Sequence, residues 1–583
     1  MEKKMMKSDK NYDAAKFLRE LRKCISRQDE GLRLLVLYLL YLRNRYDPKN
    51  VMSVSELVDK KFPNKHTDLE YTLRDIVAED LWDKVRSQIP SVSDEVLETV
   101  LLDTTGEYFT PGGNVMRGTE EMPDTLSDLV IRLLDIKSGD KVYDMFGGAG
   151  DFLVKAVSAQ PSASYYGRGK SSLRNHFLEI RKDILEKNYE HIRIHTKGVE
   201  WRRGNDDRKF DKIFGRYPWM VDLTEHARET DTIYDIAEKE IPGILGRHAS
   251  DWLYNFAMVS QLKESGKAIG IMTNGSTWNQ VSGCKNARKY FLEHGFIEAV
   301  IALPSGMFKE QSSLIVLSRG NEKVKMIDAS DLHVGRNRKV TMTPENIDDI
   351  LAAYENDGER SVSVSIEEIL SGKEIAVHPG RYLKKTAPVK DGVQLGTVLK
   401  AVRRGANLPS SAMDRLMTDT PTDCRYVLVK NITDGMIDEN LPYITGLDKE
   451  TERFIAPRHS VILSKIGTPF KCAVVDASEP KLLINGNMYI LEVDERRANP
   501  YYLKLLFESA YGTSLLERIS IGSKFPTFTK SALEELIIPL PSLKEQDRMA
   551  ERYLALQNEI RRCKAKLDDA IKQKSRIFED MQS

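Results

Sequence analysis

The residues best placed to do chemistry are Asp144-Met-Phe-Gly147-Gly148-Ala149-Gly150-Asp151. Small residues there follow a short apolar run and precede a helix-like stretch. That makes a tight turn whose backbone a ligand can approach closely. The glycine spacing is not the GxGxxG of dinucleotide folds, and no Gly-Lys-Ser/Thr completes the turn at phosphate-loop spacing, which disfavours a phosphate loop. Alone, such a turn reads equally well as an ordinary strand-to-helix connection. Upstream stands Thr104-Thr-Gly-Glu107-Tyr108-Phe109-Thr110-Pro111, and the basic turn Arg403-Arg404-Gly405 lies far downstream. The five cysteines, Cys24, Cys284, Cys424, Cys472 and Cys563, form no CxxC pair. This predicts no zinc site and no disulfide framework, and a reducing cytoplasm as the setting.

An α/β framework must position these residues. Residues 1–100 read as a helical bundle, because FLRELRKCISRQDEGLRLLVLYLLYLRNRY carries apolar residues three and four apart and Asp47-Pro48 ends the run. Its apolar stretch 34–42 falls well short of the ~20 residues that span a bilayer, so a buried helix is expected and no membrane partner. In 101–375, strand candidates at 141–146, 212–219, 268–274, 297–304 and 312–318 alternate with helices. That pattern predicts a Rossmann-like domain with a doubly wound mixed sheet, mostly parallel, binding ligands at the carboxyl ends of its strands. Residues 376–543 read as a second α/β domain. Residues 544–583 read as one long helix: Met549, Tyr553, Leu556, Ile560, Cys563, Leu567 and Ile571 keep close to a heptad spacing. The 87 Lys+Arg balance 87 Asp+Glu in 583 residues, which argues against a uniformly basic coat protein. DNA contact needs only a local basic surface.

The pair GEYFTP and VYDMFGGAGDFL resembles the N6-adenine DNA methyltransferases of type I restriction-modification systems. DWLYNFAMVSQLKESGKAIGIMTN and IEAVIALPSGMFKEQSSLIVLS fit the same ordered series. The resemblance implies an S-adenosylmethionine site lined by Glu107, Tyr108, Phe109, Thr110, Pro111, Asp144, Gly147, Gly148, Ala149, Gly150 and Asp151. It also implies an Asn-Pro-Pro-aromatic motif at a later strand end. There the Asn oxygen and a backbone carbonyl accept from the amine of a flipped-out adenine, and the aromatic ring stacks on the base. This chain reads Arg216-Tyr217-Pro218-Trp219 instead. Arginine has donors only and is always charged, so it cannot accept from that amine and opposes the charge developing on it. Asn205 and Asn274 are alternative acceptors, but neither precedes Pro-Pro-aromatic. Gly169 stands near the expected ribose-binding acid. Thr196-Lys-Gly198-Val199-Glu200 lacks or displaces the family's next carboxylate. The expectation is a degenerate methyltransferase domain with weakened or lost cofactor binding.

From about Val393, VQLGTVLKAVRRGANLP, HSVILSKIGTPFKCAVV and IPLPSLKEQ resemble a specificity subunit of the same systems. That implies a target recognition domain followed by a spacer helix. Candidate DNA contacts are Arg403, Arg404, Lys430, Lys465, Lys471 and Lys524. The whole reads as a modification-specificity fusion that binds double-stranded DNA, pairs as a homodimer through its last helix and associates with restriction or other defence subunits. Two alternatives stand beside it: an active adenine methyltransferase using S-adenosylmethionine, and a partner-recruiting scaffold in a defence complex.

Overall fold

The computed structural model describes residues 14–25, 30–63, 67–105, 123–167, 172–189, 194–195, 202, 208–335, 340–383, 389, 392–476, 480–521 and 526–576. Two compact units divide the chain, Met1–Pro379 and Gly380–Ser583.

The first unit begins with short helices set end to end by polar caps. Ser53 and Glu56 form a capping box at Val54–Lys61, Thr67 caps Asp68–Ile76, and Ser93 caps Asp94–Leu101. Against them lies Glu30–Tyr46, whose apolar run from Leu34 to Leu42 is buried on every side. That all-round burial explains a run without amphipathic period. The helices share one core with Phe177, Ile180 and Ile184 of the helix Ser172–Asn188, so they pack directly on the sheet domain. Among the described residues no helix is long and apolar enough to cross a membrane.

The sheet has nine strands: β1 Lys141–Asp144, β2 Ser164–Gly167, β3 Ile194–His195, β4 Phe210–Gly215, β5 Leu262–Thr273, β6 Ile297–Ala302, β7 Ser312–Leu317, β8 Lys323–Asp328 and β9 Ser361–Ser365. Their order is 3-2-1-4-5-7-6-8-9. Strands β3, β2, β1, β4 and β5 run parallel, while β7 lies antiparallel between β5 and β6. β6, β7 and the second half of β5 are almost wholly buried, as strands covered on both faces must be. The chain leaves β1 toward β2 on one side and later returns to β4 on the other. The carboxyl ends of β1 and β4 therefore flank the switch point where such sheets bind ligands. Three strands stop at least two residues short of the sequence expectation, among them β6, which ends at Ala302. β1 stops at Asp144 and β4 at Gly215, so the glycine turn and Arg216–Trp219 are strand-end loops.

The second unit holds two four-stranded sheets. One runs Leu399–Arg404, Met488–Val493, Val461–Ser464, Cys472–Val474, all antiparallel. The other runs Met417–Thr418, Tyr443–Ile444, Cys424–Val427, Lys481–Ile484. Helices Pro500–Glu508 and Ala510–Ile519 close the core that includes Val402, Leu463, Leu491, Leu503 and Leu516. The last helix, Leu543–Arg576, has 34 residues. Its first turns dock on this core: Gln546 and Ala550 are buried, and Tyr553 is hydrogen-bonded to Lys504 and Glu508. Tyr553 thus serves the docking face, and the exposed apolar stripe is Met549, Leu556, Ile560, Leu567 and Ile571.

Candidate functional site

At the end of β1 the chain turns through Gly147 (φ 54°), Gly148 (φ 55°) and Gly150 (φ 87°), and the helix Asp151–Ala159 starts at once. Three left-handed residues so close together explain the glycines. Gly150 has a second reason, because a Cβ there would sit 2.8 Å from Leu178 Cδ1. Asp144 is buried, and its Oδ1 accepts from the Gly147 amide at 2.9 Å. Burial raises its carboxyl to about 7, against the pull of the loop amides. The turn therefore suits a ligand packed on backbone, but Asp144 is committed to shaping that turn.

Arg181, unremarked in the sequence, ties the turn to the helices before it. Its guanidinium is buried and donates to Ala149 O at 2.9 Å, Leu101 O at 3.0 Å, Asp103 O and Asp151 Oδ1. It also lies over the Phe177 ring at 4.0 Å. Asp151 is thus the ion-pair partner of Arg181. Arg181 belongs to a mixed helix of no distinctive motif, so only the fold reveals its role. Glu107, Tyr108, Phe109, Thr110 and Pro111 lie outside the described residues, as do Gly169, Thr196–Glu200 and Asn205. No acidic residue occurs in the sequence between Gly167 at the end of β2 and Glu179.

Past β4 the four motif residues are drawn inward. Tyr217 is fully buried; its hydroxyl donates to Asn255 Oδ1 at 3.2 Å and its ring stacks on Tyr254 with centroids 5.0 Å apart. Gly270 makes room for this pair, since a Cβ there would lie 2.5 Å from Asn255 Oδ1 and 2.9 Å from the Tyr217 hydroxyl. Trp219 is pinned by its indole N–H, which donates to Ile271 O at 2.8 Å. Pro218 is half-buried. Arg216 is only 7% exposed, with its guanidinium carbon 4.3 Å from the Trp219 ring centre and 4.5 Å from that of Phe308. All three of its nitrogens are buried without a hydrogen-bond acceptor among the described residues. Burial pulls its pKa down to about 9, with Tyr217 and Asp251 acting in the opposite sense. Asp251 makes no ion pair with it: one oxygen accepts from Thr273 N, Thr273 Oγ1 and Ser276 Oγ, each within 2.9 Å. A donor-only cation thus occupies this strand end, and Trp219 presents its face to that cation. Phe308, Asp251 and Asn255 lie in stretches that fit the family series, but the sequence assigned them no role; the fold alone brings them to this strand end.

In the second unit Arg403 and Arg404 alternate along one strand. Arg403 pairs with Glu492 at 2.6 Å. Arg404 is exposed and donates through Nε to Gly486 O at 2.7 Å. Lys465 follows Val461–Ser464 at the same sheet end, where Arg404 and Leu463 both align with Tyr489. Burial and the charge of Arg404 lower the Lys465 ammonium to about 8. Lys471 Nζ donates to Ile432 O at 2.7 Å, and Lys430 is exposed. Lys524 lies outside the described residues. Among the described residues no group of three or more His, Cys, Asp or Glu side chains could hold a metal.

The first unit thus contains an α/β domain of the methyltransferase kind, with a glycine turn and an altered motif at its switch point. Residues 102–391 match the family N-6 DNA Methylase, and residues 429–573 match the type I restriction modification DNA specificity domain. The type I restriction enzyme MpnII methylase subunit of Mycoplasma pneumoniae is 21% identical over 275 residues, covering 44% of this chain and 48% of that subunit. The MjaVIII methylase subunit of Methanocaldococcus jannaschii is 22% identical over 300 residues, covering 46% and 49%. The chain spans about half the length of the curated relatives it matches. A crystal structure of a type I restriction-modification methyltransferase subunit from Streptococcus thermophilus superposes with a TM-score of 0.50 at 16% identity, covering 64% of this chain and 98% of that one. At that identity the likeness shows the fold. The protein joins an N6-methylase domain, homologous to type I methylase subunits, to a specificity domain in one chain.

Proposed function

We propose that this protein recognises a specific DNA site through its second unit and that its methylase domain does not methylate. The observation that carries the second half is Arg216. A methyl acceptor amine needs a hydrogen-bond acceptor beside it, whereas this position holds a buried guanidinium whose three nitrogens have no partner among the described residues. Removing one preorganised polar contact of this sort costs about 10²–10³ in rate, and replacing it by a cation adds repulsion. The neighbouring Tyr217 is locked to Asn255 and Tyr254, so the change is built into the core. S-adenosylmethionine, if bound, packs on Gly147, Gly148 and Ala149, and the sequence offers no acidic residue between Gly167 and Glu179, which implies weak binding.

DNA recognition rests on the specificity-domain match and on the Arg404–Lys465 sheet end. Association with other subunits of such a system follows from the same match. The exposed stripe of the last helix supports pairing with a second copy, which makes a two-fold reader of a split palindromic site. The test combines selection from random duplexes with a transfer assay using labelled S-adenosylmethionine on the selected DNA. The expected result is an enriched split site and no label in adenine. Labelled N6-methyladenine at stoichiometric turnover sinks the non-methylating reading, and no enrichment sinks the recognition reading.

A further inference from the structure

The last helix carries a second face beside its apolar stripe. Gln546, Ala550, Tyr553, Gln557, Arg561 and Lys564 stand three or four residues apart and so share one side of the helix. The first three dock on the globular core. The next three reach the hairpin of strands Ile432–Thr433 and Met436–Ile437. Gln557 donates to Asp434 O at 2.9 Å, Lys564 pairs with the Asp434 carboxylate, and an Arg561 nitrogen lies 3.6 Å from Met436 Sδ.

This hairpin is held at both ends. At its root Ile432 is buried in the core, Lys471 Nζ donates to Ile432 O at 2.7 Å, and Asp438 N donates to Asn431 O at 2.9 Å. At its tip Asp434 (φ 49°) and Gly435 (φ 73°) make the two-residue turn that matches strand twist. The tip is wedged as well. A Cβ on Gly435 would collide with the Glu508 carboxylate and stand 3.1 Å from Lys504 Nζ. Those two residues also hold Tyr553. The turn therefore lies between helix Pro500–Glu508 and the last helix. The Lys564–Asp434 pair is about half exposed and adds little by itself. The wedged turn gives that pair and the Gln557 hydrogen bond a fixed point to pull against.

Beyond Tyr553 the helix runs 23 more residues, to Arg576, which is about 35 Å at 1.5 Å per residue. A swing of about 6° over that arm moves its end by ~3.4 Å, the rise of one base pair. In a pair of chains joined through this helix, its angle decides where each globular part meets the duplex. We propose that the Asp434-Gly435 turn is a strut, with Gln557 and Lys564 as its positioning residues, that fixes this angle and so sets the number of base pairs between the two half-sites. The inference rests on the reading of the protein as a two-fold reader of a split site and names the residues that fix its gap.

The test uses the full-length chain and the split site selected from random duplexes, rebuilt with gaps from three base pairs shorter to three longer. Wild type is compared with the double variant Gln557→Ala, Lys564→Ala, which removes the helix side of the strut at positions outside the core. Sedimentation velocity follows pairing, and single-half-site duplexes follow sequence preference. The expected wild-type result is one gap bound at least tenfold tighter than those one base pair away. In the double variant that ratio should fall below threefold, with the half-site preference and the dimer unchanged. An equally sharp gap preference in the double variant overturns the strut and leaves the two-fold reading standing. So does a wild type that binds all gaps alike. Loss of the dimer or of half-site binding in the double variant overturns it too, because Gln557 and Lys564 then serve pairing or DNA contact. A wild type that selects no split site removes the two-fold reading and the strut together.

Discussion

Lys465 carries the most directly testable charge in the second unit. Its ammonium is lowered to about 8 by burial and by Arg404. A DNA phosphate at that sheet end would raise it again. Below pH 8 the free protein already holds the proton; above it, binding must take one up. DNA affinity should therefore fall as pH rises from about 7 to 9, beyond the trend of a Lys465→Met variant, measured by anisotropy at fixed salt. Identical pH profiles for the two proteins would remove Lys465 from the contact. Asp144 makes the opposite kind of statement. Its carboxyl is raised to about 7 by burial, so the folded state holds a proton that the unfolded chain has lost above about 4. The stabilisation is complete at low pH and fades as pH rises through about 7. Wild type should lose unfolding free energy between about pH 4 and 7 relative to Asp144→Asn, which keeps an acceptor for the Gly147 amide. Urea melts across that range check it; parallel curves for the two proteins refute it.

At the scale of elements, the last helix has two different faces. Gln546, Ala550 and Tyr553 bind it to the globular part, and Gln557 reaches Asp434 O at 2.9 Å in the turn after Ile432–Thr433. Lys564 pairs with the Asp434 carboxylate. Leu556, Ile560, Leu567 and Ile571 are each about half exposed on the adjoining face. A stripe of that length on an anchored helix suits a partner helix more than solvent. Replacing Leu556 and Ile560 by Asp should convert a dimer to a monomer in sedimentation velocity and leave the thermal transition unchanged, because neither side chain is buried. A wild-type chain that stays monomeric at tens of micromolar would refute self-pairing through this stripe. The heptad spacing revealed the stripe. Assigning Tyr553 to docking required seeing Lys504 and Glu508 beneath it.

For the whole molecule, equal numbers of Lys+Arg and Asp+Glu coexist with charges used in local ways. Arg181 and Arg403 are committed to internal ion pairs, while the charge of Arg404 bears directly on Lys465. DNA binding should therefore weaken steeply with salt despite zero formal net charge, the slope of log K against log salt counting neutralised phosphates. A flat salt dependence would show that recognition bypasses phosphates.

The sequence by itself determined the α/β framework, the glycine turn, the altered motif and the terminal helix. Each rests on local spacing: glycines where φ is positive, apolar residues at strand and helix periods, an arginine where an acceptor is needed. It did not reveal Arg181, Phe308 or Asn255. These residues are separated from their partners by tens of residues in the chain, and although Phe308 and Asn255 lie in stretches that fit the family series, nothing local says what they touch. Only the tertiary structure decided that Arg216 lies in an aromatic corner, that Arg181 ties Ala149 to Leu101, and that Arg403 is spent on Glu492 while Arg404 is exposed. The reason is physical. A side chain's type sets what it can bond to, but burial and the neighbours brought by the sheet order decide which of those bonds it makes.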